Sequence, residues 1–274
     1  MPELPEVEVL RQGLLPLVVG RTVMRIRISR KKLRRPVPRL KLKRWIIGRR
    51  LTDVTRRAKY LCLVMENRAL LVIHLGMTGN LRILPADSPR KKHDHLGFLL
   101  DNGMEIRFND TRRFGSIQVF SPEEAPYPSL FDGLGPEPFS DDFSPAYLLV
   151  RAEGHSQPVK NFLMDNHNVV GIGNIYANEI LFAAGISPGA KVDTLSGEQW
   201  QQIITAGRCI LEKAIACGGT TISDFVDASG KSGYFQLDLL VYGRNGHPCP
   251  NCQAPVQKAV QAGRPTFYCP VCQT

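Results

Sequence analysis

The chain has 274 residues, of which 43% are hydrophobic, and it carries a formal net charge of +10 at pH 7. This length allows two domains with ordinary cores, and no apolar run approaches the length of a membrane-spanning helix, which excludes a protein anchored by such helices. Residues 30–50 hold eleven Lys/Arg and no acid, whereas the rest of the chain holds 24 bases and 25 acids. The uneven positive charge favours a polyanionic partner. A solvated, solubilising face is the alternative interpretation of residues 30–50.

The first residues predict the start of a helix that also carries reactive groups. Pro5 suits the first helical turn, and the apolar side chains at positions 7, 10, 14 and 17 share one face of a helix that should end by residue 20. Removal of the initiator methionine would leave Pro2 as a secondary amine, a nucleophile that can form an iminium with a sugar aldehyde carbon. Glu3 and Glu6 are three residues apart, so their carboxylates are expected to share one helical face. In the alternative interpretation, these acids only complement the helix dipole.

Short strands are predicted from there to residue 120. The alternation of Met24, Ile26 and Ile28 with polar residues predicts a half-buried strand. Further apolar runs, separated by Asn, Gly and Asp turns, predict strands at 60–65, 69–74, 97–100, 104–108 and 116–120. Many short strands with little helix indicate a β-sandwich or a barrel. The proline-rich stretch from Ser121 to Pro145 then predicts a hinge.

Helical patterns follow the hinge. Asn174 is predicted to cap a helix over residues 175–184, and Ser196 with Gln199 predicts a capping box. The helix after that box should bury Trp200, Ile203, Ile204, Leu211, Ala214 and Ile215. We therefore expect an α+β multidomain chain. Its predicted parts are an N-terminal β-sandwich with a leading helix (1–131), a helical domain (132–234) and a C-terminal zinc-ribbon hairpin (235–274).

Four cysteines near the end of the chain have the spacing of a zinc ribbon. Two Cys-x2-Cys pairs, separated by sixteen residues, make Cys249, Cys252, Cys269 and Cys272 the candidate ligands. The stretch between the pairs is long enough for a hairpin with residues 263–265 at its tip. Disulfides and chance clustering are the alternatives, but the other three cysteines are scattered and odd in number, and no signal peptide precedes the predicted fold. One structural zinc ion is therefore expected, in a reducing cytoplasm.

Nine short motifs follow one another along nearly the whole chain. They are Pro2-Glu-Leu-Pro-Glu6, Arg56-Arg-Ala-Lys-Tyr60, His74-Leu-Gly-Met-Thr-Gly79, Lys92-His-Asp-His95, Arg112-Arg-Phe-Gly115, Leu134-Gly-Pro-Glu-Pro138, Gly171-Ile-Gly-Asn-Ile-Tyr176, Val241-Tyr-Gly-Arg244 and the cysteine ribbon. In this order they resemble the motifs of bacterial formamidopyrimidine-DNA glycosylases, which excise oxidised purines such as 8-oxoguanine. The resemblance implies a two-sheet β-sandwich, a helix–two-turn–helix domain and a zinc finger.

The resemblance also implies a mechanism. The damaged nucleotide would be flipped out of the duplex, and the Pro2 amine would attack its C1′ and displace the base. Glu3 would protonate the sugar ring oxygen, and Glu6 would support the site. Lys59 is similar to the family's β-elimination residue, and Arg264 to its proton donor for δ-elimination. A plain surface lysine is the alternative for Lys59.

Further residues match DNA contacts of the family. Met77, Arg112 and Phe114 would fill the gap that the extruded nucleotide leaves, although Met77 and Phe114 taken alone would be typical of a core. The other implied contacts are His74, His93, Lys160, Asn174, Tyr242 and Lys258. His155 stands where the family often has lysine, so a phosphate contact there would depend on pH. Residues 218–234 resemble the loop that closes over a flipped purine.

Two other functions fit part of the sequence. Endonuclease VIII-like glycosylases favour oxidised pyrimidines and share the Pro-Glu start and the zinc hairpin, but Leu4 replaces their usual glycine. A non-catalytic zinc protein that binds DNA or RNA would explain the charge and the cysteines, but not Pro2, Glu3 and Lys59 together. We expect a monomeric bacterial enzyme of the cytoplasm and nucleoid, without membrane association. Its expected partner is double-stranded DNA with oxidised bases or abasic sites.

Overall fold

The computed structural model describes residues 2–218 and 239–274. These residues form two compact units, 2–132 and 133–217 together with 239–274. In the described part of the chain, no helix is both long and apolar enough to cross a membrane. The predicted boundaries of three domains, at 131/132 and 234/235, stay a prediction.

The first unit is a β-sandwich with a leading helix. Two four-stranded antiparallel sheets enclose one hydrophobic core, with strand orders β1-β6-β7-β5 and β2-β3-β4-β8. The strands are β1 (Val23–Ile28), β2 (Leu51–Arg57), β3 (Tyr60–Met65), β4 (Leu70–His74), β5 (Gly79–Pro85), β6 (Asp94–Leu100), β7 (Met104–Asp110) and β8 (Ser116–Phe120). The helices are α1 (Leu4–Val18) and α2 (Arg39–Trp45). The predicted sandwich is confirmed, whereas β2, β5 and α2 were not anticipated from the sequence.

Helix α1 forms where its apolar period predicts it. Val7, Leu10 and Leu14 are buried in the core of the sandwich, and Leu17 is half-buried. Gly20 takes a φ of +84° just beyond the helix end, a conformation that glycine adopts without steric cost. The burial of this face fixes α1 against β2, and with it the position of the residues at the start of the chain.

Strand β1 departs from the predicted alternation. Its pairing with β6 shifts register between Val23 and Arg25, so two residues of β1 oppose one of β6. Met24, predicted to face the core, is instead 54% exposed, because a bulge at this point reverses the side on which the following residues lie. Ile26 and Ile28 pack at the edge of the core as expected.

The second unit is helical and ends in a β-hairpin. Its helices are α3 (Pro145–Ala152), α4 (Val159–Met164), α5 (Asn174–Ala183) and α6 (Gly197–Ala216), and its strands are β9 (Gln257–Gln261) and β10 (Arg264–Tyr268). The Ser196–Gln199 capping box is confirmed, because each residue's side chain accepts the other's backbone amide, at 3.2 and 2.9 Å. The predicted face of α6 is buried, with Ile215 only half-buried.

Two local predictions in this unit are wrong. Asn174 does not cap α5, since Gly173 occupies the cap position and Asn174 is the first helical residue. The tip of the zinc hairpin is formed by Ala262 and Gly263, both with positive φ, whereas Arg264 already belongs to β10 and pairs with Gln261. A two-residue turn with positive φ matches the twist of the two strands, which explains the shorter loop.

Candidate active site and DNA-binding residues

The start of the chain places two carboxylates in a buried setting. Pro2 is half-buried, whereas Glu3 and Glu6 are almost completely buried at the first turn of α1. The backbone amide of Glu3 donates to the Glu6 carboxylate at 2.8 Å, as in a capping box. Glu6 therefore fixes the backbone of Glu3, and with it the point from which the Glu3 side chain extends.

A chain of polar contacts links α1 to the hairpin that carries Lys59. The Glu8 carboxylate on α1 accepts a hydrogen bond from Arg56 Nε at 3.1 Å. The same guanidinium donates to the carbonyl of Ala58 at 2.9 Å, in the tight turn between β2 and β3. Lys59, the next residue of that turn, is buried. Sequence reasoning gave no role to Glu8 or to this bridge, because both partners are ordinary charged residues until the fold brings them together.

His74 is held in its neutral form. Gly76 N–H donates to His74 Nδ1 at 3.0 Å, so that nitrogen is unprotonated and the neutral ring carries its proton on Nε2. Burial, together with the positive charges of Lys59 and Arg34, lowers the pKa of His74 to about 4. The ring lies 4.9 Å from that of Tyr60. The arrangement offers an uncharged N–H donor beside cationic groups.

Met77, Arg112 and Phe114 lie on two adjoining loops of the first unit. Met77 is 40% exposed and Phe114 41% exposed, so neither is a core residue. The Arg112 guanidinium lies 4.7 Å from the centre of the Phe114 ring, within the range of a cation–π contact. His93 is half-buried on the loop between β5 and β6, with its ring 6.2 Å from that of His95. The fold thus exposes two apolar side chains and a cation on adjoining loops.

In the second unit, Lys160 and Asn174 converge on the β-hairpin. Lys160 is buried, and its ammonium donates to the Pro265 carbonyl at 3.0 Å and the Thr266 hydroxyl at 2.7 Å. The Asn174 amide donates to the same Pro265 carbonyl at 3.1 Å. Burial and the positive charge of Arg264 lower the pKa of Lys160 to about 8. Both residues thus hold the backbone next to Arg264, and a direct contact of Lys160 with DNA stays a prediction.

The remaining candidates of this unit have different surroundings. Tyr242 packs edge-on against Phe267, and its amide donates to Glu179 at 2.8 Å. Glu179 is buried and also accepts the amides of residues 240 and 241, so it fixes this turn; sequence reasoning missed it. Arg264 and Lys258 are exposed on the hairpin, and His155 is exposed after α3.

The four cysteines of the ribbon converge as a metal site requires. Their sulfur atoms all lie within 4.8 Å of one another, with Cys249 and Cys272 at 3.8 Å and Cys252 and Cys269 at 3.4 Å. Tetrahedral zinc with sulfur ligands at about 2.3 Å separates the sulfurs by about 3.8 Å, so the group fits that ion. Backbone amides of Asn251 and Cys272 point at the sulfurs of Cys249 and Cys269, both at 3.4 Å, as around thiolates.

Family models match three successive parts of the chain. Residues 1–117 match the formamidopyrimidine-DNA glycosylase N-terminal domain, residues 134–226 its H2TH domain, and residues 246–274 the zinc finger found in FPG and IleRS. The chain belongs to the formamidopyrimidine-DNA glycosylase family. The fold described above, a sandwich followed by helices and a cysteine hairpin, is the one that the resemblance predicted.

Full-length relatives agree with this membership. Formamidopyrimidine-DNA glycosylases of Stenotrophomonas maltophilia and Laribacter hongkongensis are 48% and 46% identical to the chain, with both chains covered completely. A Lactococcus lactis FPG mutant, solved with Fapy-dG containing DNA, superposes with a TM-score of 0.89 at 33% identity over all of both chains. The Lactococcus lactis Fpg with abasic-site DNA gives 0.89 at 33% identity over 99% of each. The family loop predicted at residues 218–234 lies, apart from Gly218, outside the described residues.

Proposed function

We propose that the chain is a bifunctional DNA glycosylase and AP lyase that excises oxidised purines such as 8-oxoguanine and formamidopyrimidines. The observation that carries this is the start of α1: Pro2 followed by two buried carboxylates, with the Glu8–Arg56 bridge leading to Lys59. Membership of the family supports the same activity, as do relatives solved with Fapy-dG and abasic-site DNA. A protein that only binds DNA has no need of this constellation.

The proposed first step is base displacement at the sugar. Once Met1 is removed, the Pro2 nitrogen is a secondary amine, and an α-amino group with a pKa near 8 is partly neutral at pH 7. Its lone pair bonds to C1′ of the flipped nucleotide and the glycosidic bond breaks toward the base; the proton that the amine nitrogen loses balances the one that the departing base takes up. Glu3 gives its proton to the ring oxygen as the ring opens to the iminium. Glu6 keeps the Glu3 backbone in place.

The proposed later steps cleave the strand. The iminium acidifies the C2′ protons, so loss of one of them expels the 3′ phosphate, and a second elimination expels the 5′ phosphate. Lys59 serves the first elimination, and Arg264 donates a proton in the second. Both cations also attract the phosphates that leave. Neutral His74 can donate its Nε2–H to a phosphate without a change of charge.

The proposed partner is a damaged duplex, bound by a monomer. Met77, Arg112 and Phe114 fill the gap in the duplex, and His93, His155, Lys160, Asn174, Tyr242 and Lys258 contribute to the DNA-binding surface. The family's solved relatives with damaged DNA support this partner. Cytoplasmic and nucleoid localisation completes the proposal; gel filtration with and without a lesion duplex, and fluorescence imaging in cells, test these points.

We further propose that Cys249, Cys252, Cys269 and Cys272 hold one structural zinc ion. Bound there, the metal would tie together the two ends of the β9–β10 hairpin and so order Arg264; its ligand shell is filled by sulfur. Elemental analysis is expected to find one zinc per chain, and Cys252→Ser should lose it, with DNA binding and cleavage falling together. Normal cleavage by metal-free protein would contradict a role for the zinc ribbon in DNA binding and cleavage.

Borohydride trapping tests the nucleophile. Reduction of the iminium should leave a stable adduct between the N-terminal residue and lesion DNA. Extension of the N-terminus by one residue, which turns the Pro2 nitrogen into an amide, should abolish the adduct while DNA binding remains. Pro2→Gly keeps an amine that is held less rigidly, so excision should fall sharply. Cleavage at the wild-type rate by the extended chain would contradict the mechanism in which the Pro2 amine is the nucleophile.

One observation favours adding oxidised pyrimidines to the substrate panel. A Lactococcus lactis FPG, 33% identical and with a TM-score of 0.88, was solved with an oxidised pyrimidine containing DNA. We expect purine lesions to be excised faster than pyrimidine lesions in single-turnover reactions. The reverse order would favour the endonuclease VIII-like function.

A further inference from the structure

Asp110, the last residue of β7, bonds to both loops that carry the candidate gap-filling side chains. Its side chain is completely buried. One carboxylate oxygen accepts the Thr78 hydroxyl at 2.6 Å, next to Met77. The other accepts the amide of Gly115 at 2.8 Å, next to Phe114. A single buried anion therefore joins the loop after β4 to the loop after β7.

Thr78 closes a second connection between the same loops. Its hydroxyl oxygen, which donates to Asp110, also accepts the backbone amide of Arg112 at 3.0 Å. The hydroxyl thus relays between the carboxylate and the residue whose guanidinium lies over the Phe114 ring. Only serine or threonine supplies a donor and an acceptor at one short side chain here.

The two loops also touch through their backbones. A Cβ added to Gly76 would lie 2.5 Å from the carbonyl carbon of Phe114 and from the nitrogen of Gly115. A Cβ on Gly115 would lie 3.1 Å from the Asp110 carboxylate and 2.5 Å from the Phe108 ring. Arg113, between Arg112 and Phe114, has a φ of +61°, in the left-handed region that residues other than glycine rarely adopt. The absence of side chains at both glycines is what lets the loops share one surface.

The backbone of Asp110 extends the connection to the β5–β6 loop. Its amide donates to the His93 carbonyl at 3.1 Å, and its own carbonyl contacts His95 Nε2 at 2.9 Å. Three segments that carry predicted DNA contacts, those of His93, Met77 and Arg112–Phe114, therefore meet at one residue. The sequence motif around Arg112 gave no sign of this, since Asp110 stands just outside it.

We propose that Asp110 and Thr78 are positioning residues that fuse the Met77 loop and the Arg112–Phe114 loop into one preformed wedge. The proposal rests on the proposed function, in which these side chains replace the flipped nucleotide. Ordering separate loops during insertion would cost conformational entropy each time DNA is opened. In a preformed wedge the two loops are already ordered before DNA binds, so insertion into the duplex and contact with the orphaned base occur together.

The test compares Thr78→Val with Thr78→Ser on two substrates. Valine has nearly the shape of threonine but loses the hydroxyl, whereas serine keeps it. On a lesion duplex, Thr78→Val should lower single-turnover excision roughly tenfold, since both bonds of the hydroxyl are lost, and Thr78→Ser should retain the wild-type rate. On single-stranded abasic DNA, which leaves no gap to fill, all three proteins should cleave equally. Asp110→Asn, if it folds, should behave as Thr78→Val.

A second measurement distinguishes a loss of wedge insertion from a general loss of activity. Fluorescence of 2-aminopurine beside the lesion should report wedge insertion in the wild type and in Thr78→Ser, with a reduced signal in Thr78→Val at saturating protein. Equal excision of the lesion duplex by all three proteins would overturn the proposal, as would an equal loss by Thr78→Val on both substrates. If the wild type itself fails to cleave abasic DNA, the proposed function fails instead, and the two failures are distinguishable.

Discussion

At the scale of single residues, the charged side chains that organise this molecule are mostly buried. Glu179, Asp110 and Glu6 each accept backbone amides, and a buried carboxylate without such donors would be strongly destabilising. The sequence predicted Glu6 because it lies three residues from Glu3 at a helix start. It could not predict Asp110 or Glu179, because the fold brings their donors to them: the Thr78 hydroxyl and the Gly115 amide for Asp110, and the amides of residues 240–242 for Glu179.

A residue-scale prediction concerns the protonation of His74. Its pKa in the folded protein, about 4, lies below the ordinary value of 6.5. The folded state therefore resists the proton that the unfolded chain binds, and the contribution of His74 to stability falls as pH drops from 6.5 toward 4. In ¹⁵N-histidine NMR spectra, His74 should stay neutral, with its proton on Nε2, from pH 8 to about 5.

The control for this prediction is His74→Gln, whose missing signals assign the His74 ring. DNA binding by the wild type should show no loss from titration of His74 between pH 6 and 8. A His74 titration midpoint near 6.5, or a proton on Nδ1, would contradict the burial and the Gly76 contact on which the prediction depends.

At the scale of elements, those with a strong period were predictable and those fixed by tertiary contacts were not. Helix α1 and the capping box of α6 follow from local patterns, and the structure has both. Strand β2 has exposed or half-buried residues at five of its seven positions, so its sequence lacks the apolar run that marks a strand. Its place comes from pairing with β3 across the tight turn at Ala58 and Lys59, and the residue types of β2 alone do not reveal that pairing.

The residues of the candidate site also fall into two groups, those that the sequence nominates and those that only the fold brings together. The cysteine spacing and the Pro-Glu start carry their chemistry in adjacent residues, so the sequence was sufficient to nominate them. The bridge to the Lys59 turn begins with Glu8 and Arg56, which are 48 residues apart, and it exists only after β2 packs beside α1. Lys160 shows a different case: the resemblance implied a DNA contact, and the fold adds a structural role, because its ammonium is bound to Pro265 and Thr266.

An element-scale prediction concerns Arg264 on the β9–β10 hairpin. Lys160 and Asn174 both donate to the carbonyl of Pro265, the residue after Arg264. These bonds fix the backbone from which the Arg264 side chain extends. Arg264→Ala should slow the second elimination more than base release, and products should shift toward the β-eliminated 3′ end. Single-turnover gels with protein in excess over DNA resolve the two products.

Arg264→Lys is the matched control, since it keeps a cation at the same position. It should retain part of the second elimination, because an ammonium can also donate a proton, but its geometry differs from that of the guanidinium. If every step slows equally in Arg264→Ala at saturating protein, Arg264 is a binding residue only, and its assignment to δ-elimination is wrong.

At the scale of the whole molecule, the net charge of +10 depends on one segment. Residues 30–50 hold eleven bases and no acid, and most of these side chains are exposed on or around α2. Lys41 pairs with Glu124 at 2.8 Å, so the segment is partly compensated, whereas Lys31 and Lys43 have no acidic partner within the described residues. Composition predicted a polyanionic partner from this imbalance, but it cannot distinguish phosphate contacts from a solubilising face.

The salt dependence of DNA binding decides between these two roles. Each phosphate contact that a cation makes steepens the fall of log K against log salt by about 0.9. Lys31→Gln combined with Lys43→Gln should therefore flatten that slope by up to about 1.8, if both lysines contact phosphates. Binding to lesion and to undamaged duplexes should weaken by the same factor, because phosphate contacts carry no sequence or lesion information.

The matched control removes the same two charges elsewhere. Lys191 and Lys213 are exposed in the second unit and lie outside the basic segment, so Lys191→Gln with Lys213→Gln changes the net charge equally. Fluorescence anisotropy from 50 to 300 mM salt, with both duplexes, measures the slopes. We expect a flatter slope only for the segment variant, because loss of net charge alone removes long-range attraction, which salt already screens over about 10 Å at 0.1 M. Equal slopes for the two variants would assign residues 30–50 to solubility, and DNA binding would then depend on the cations of the candidate site alone.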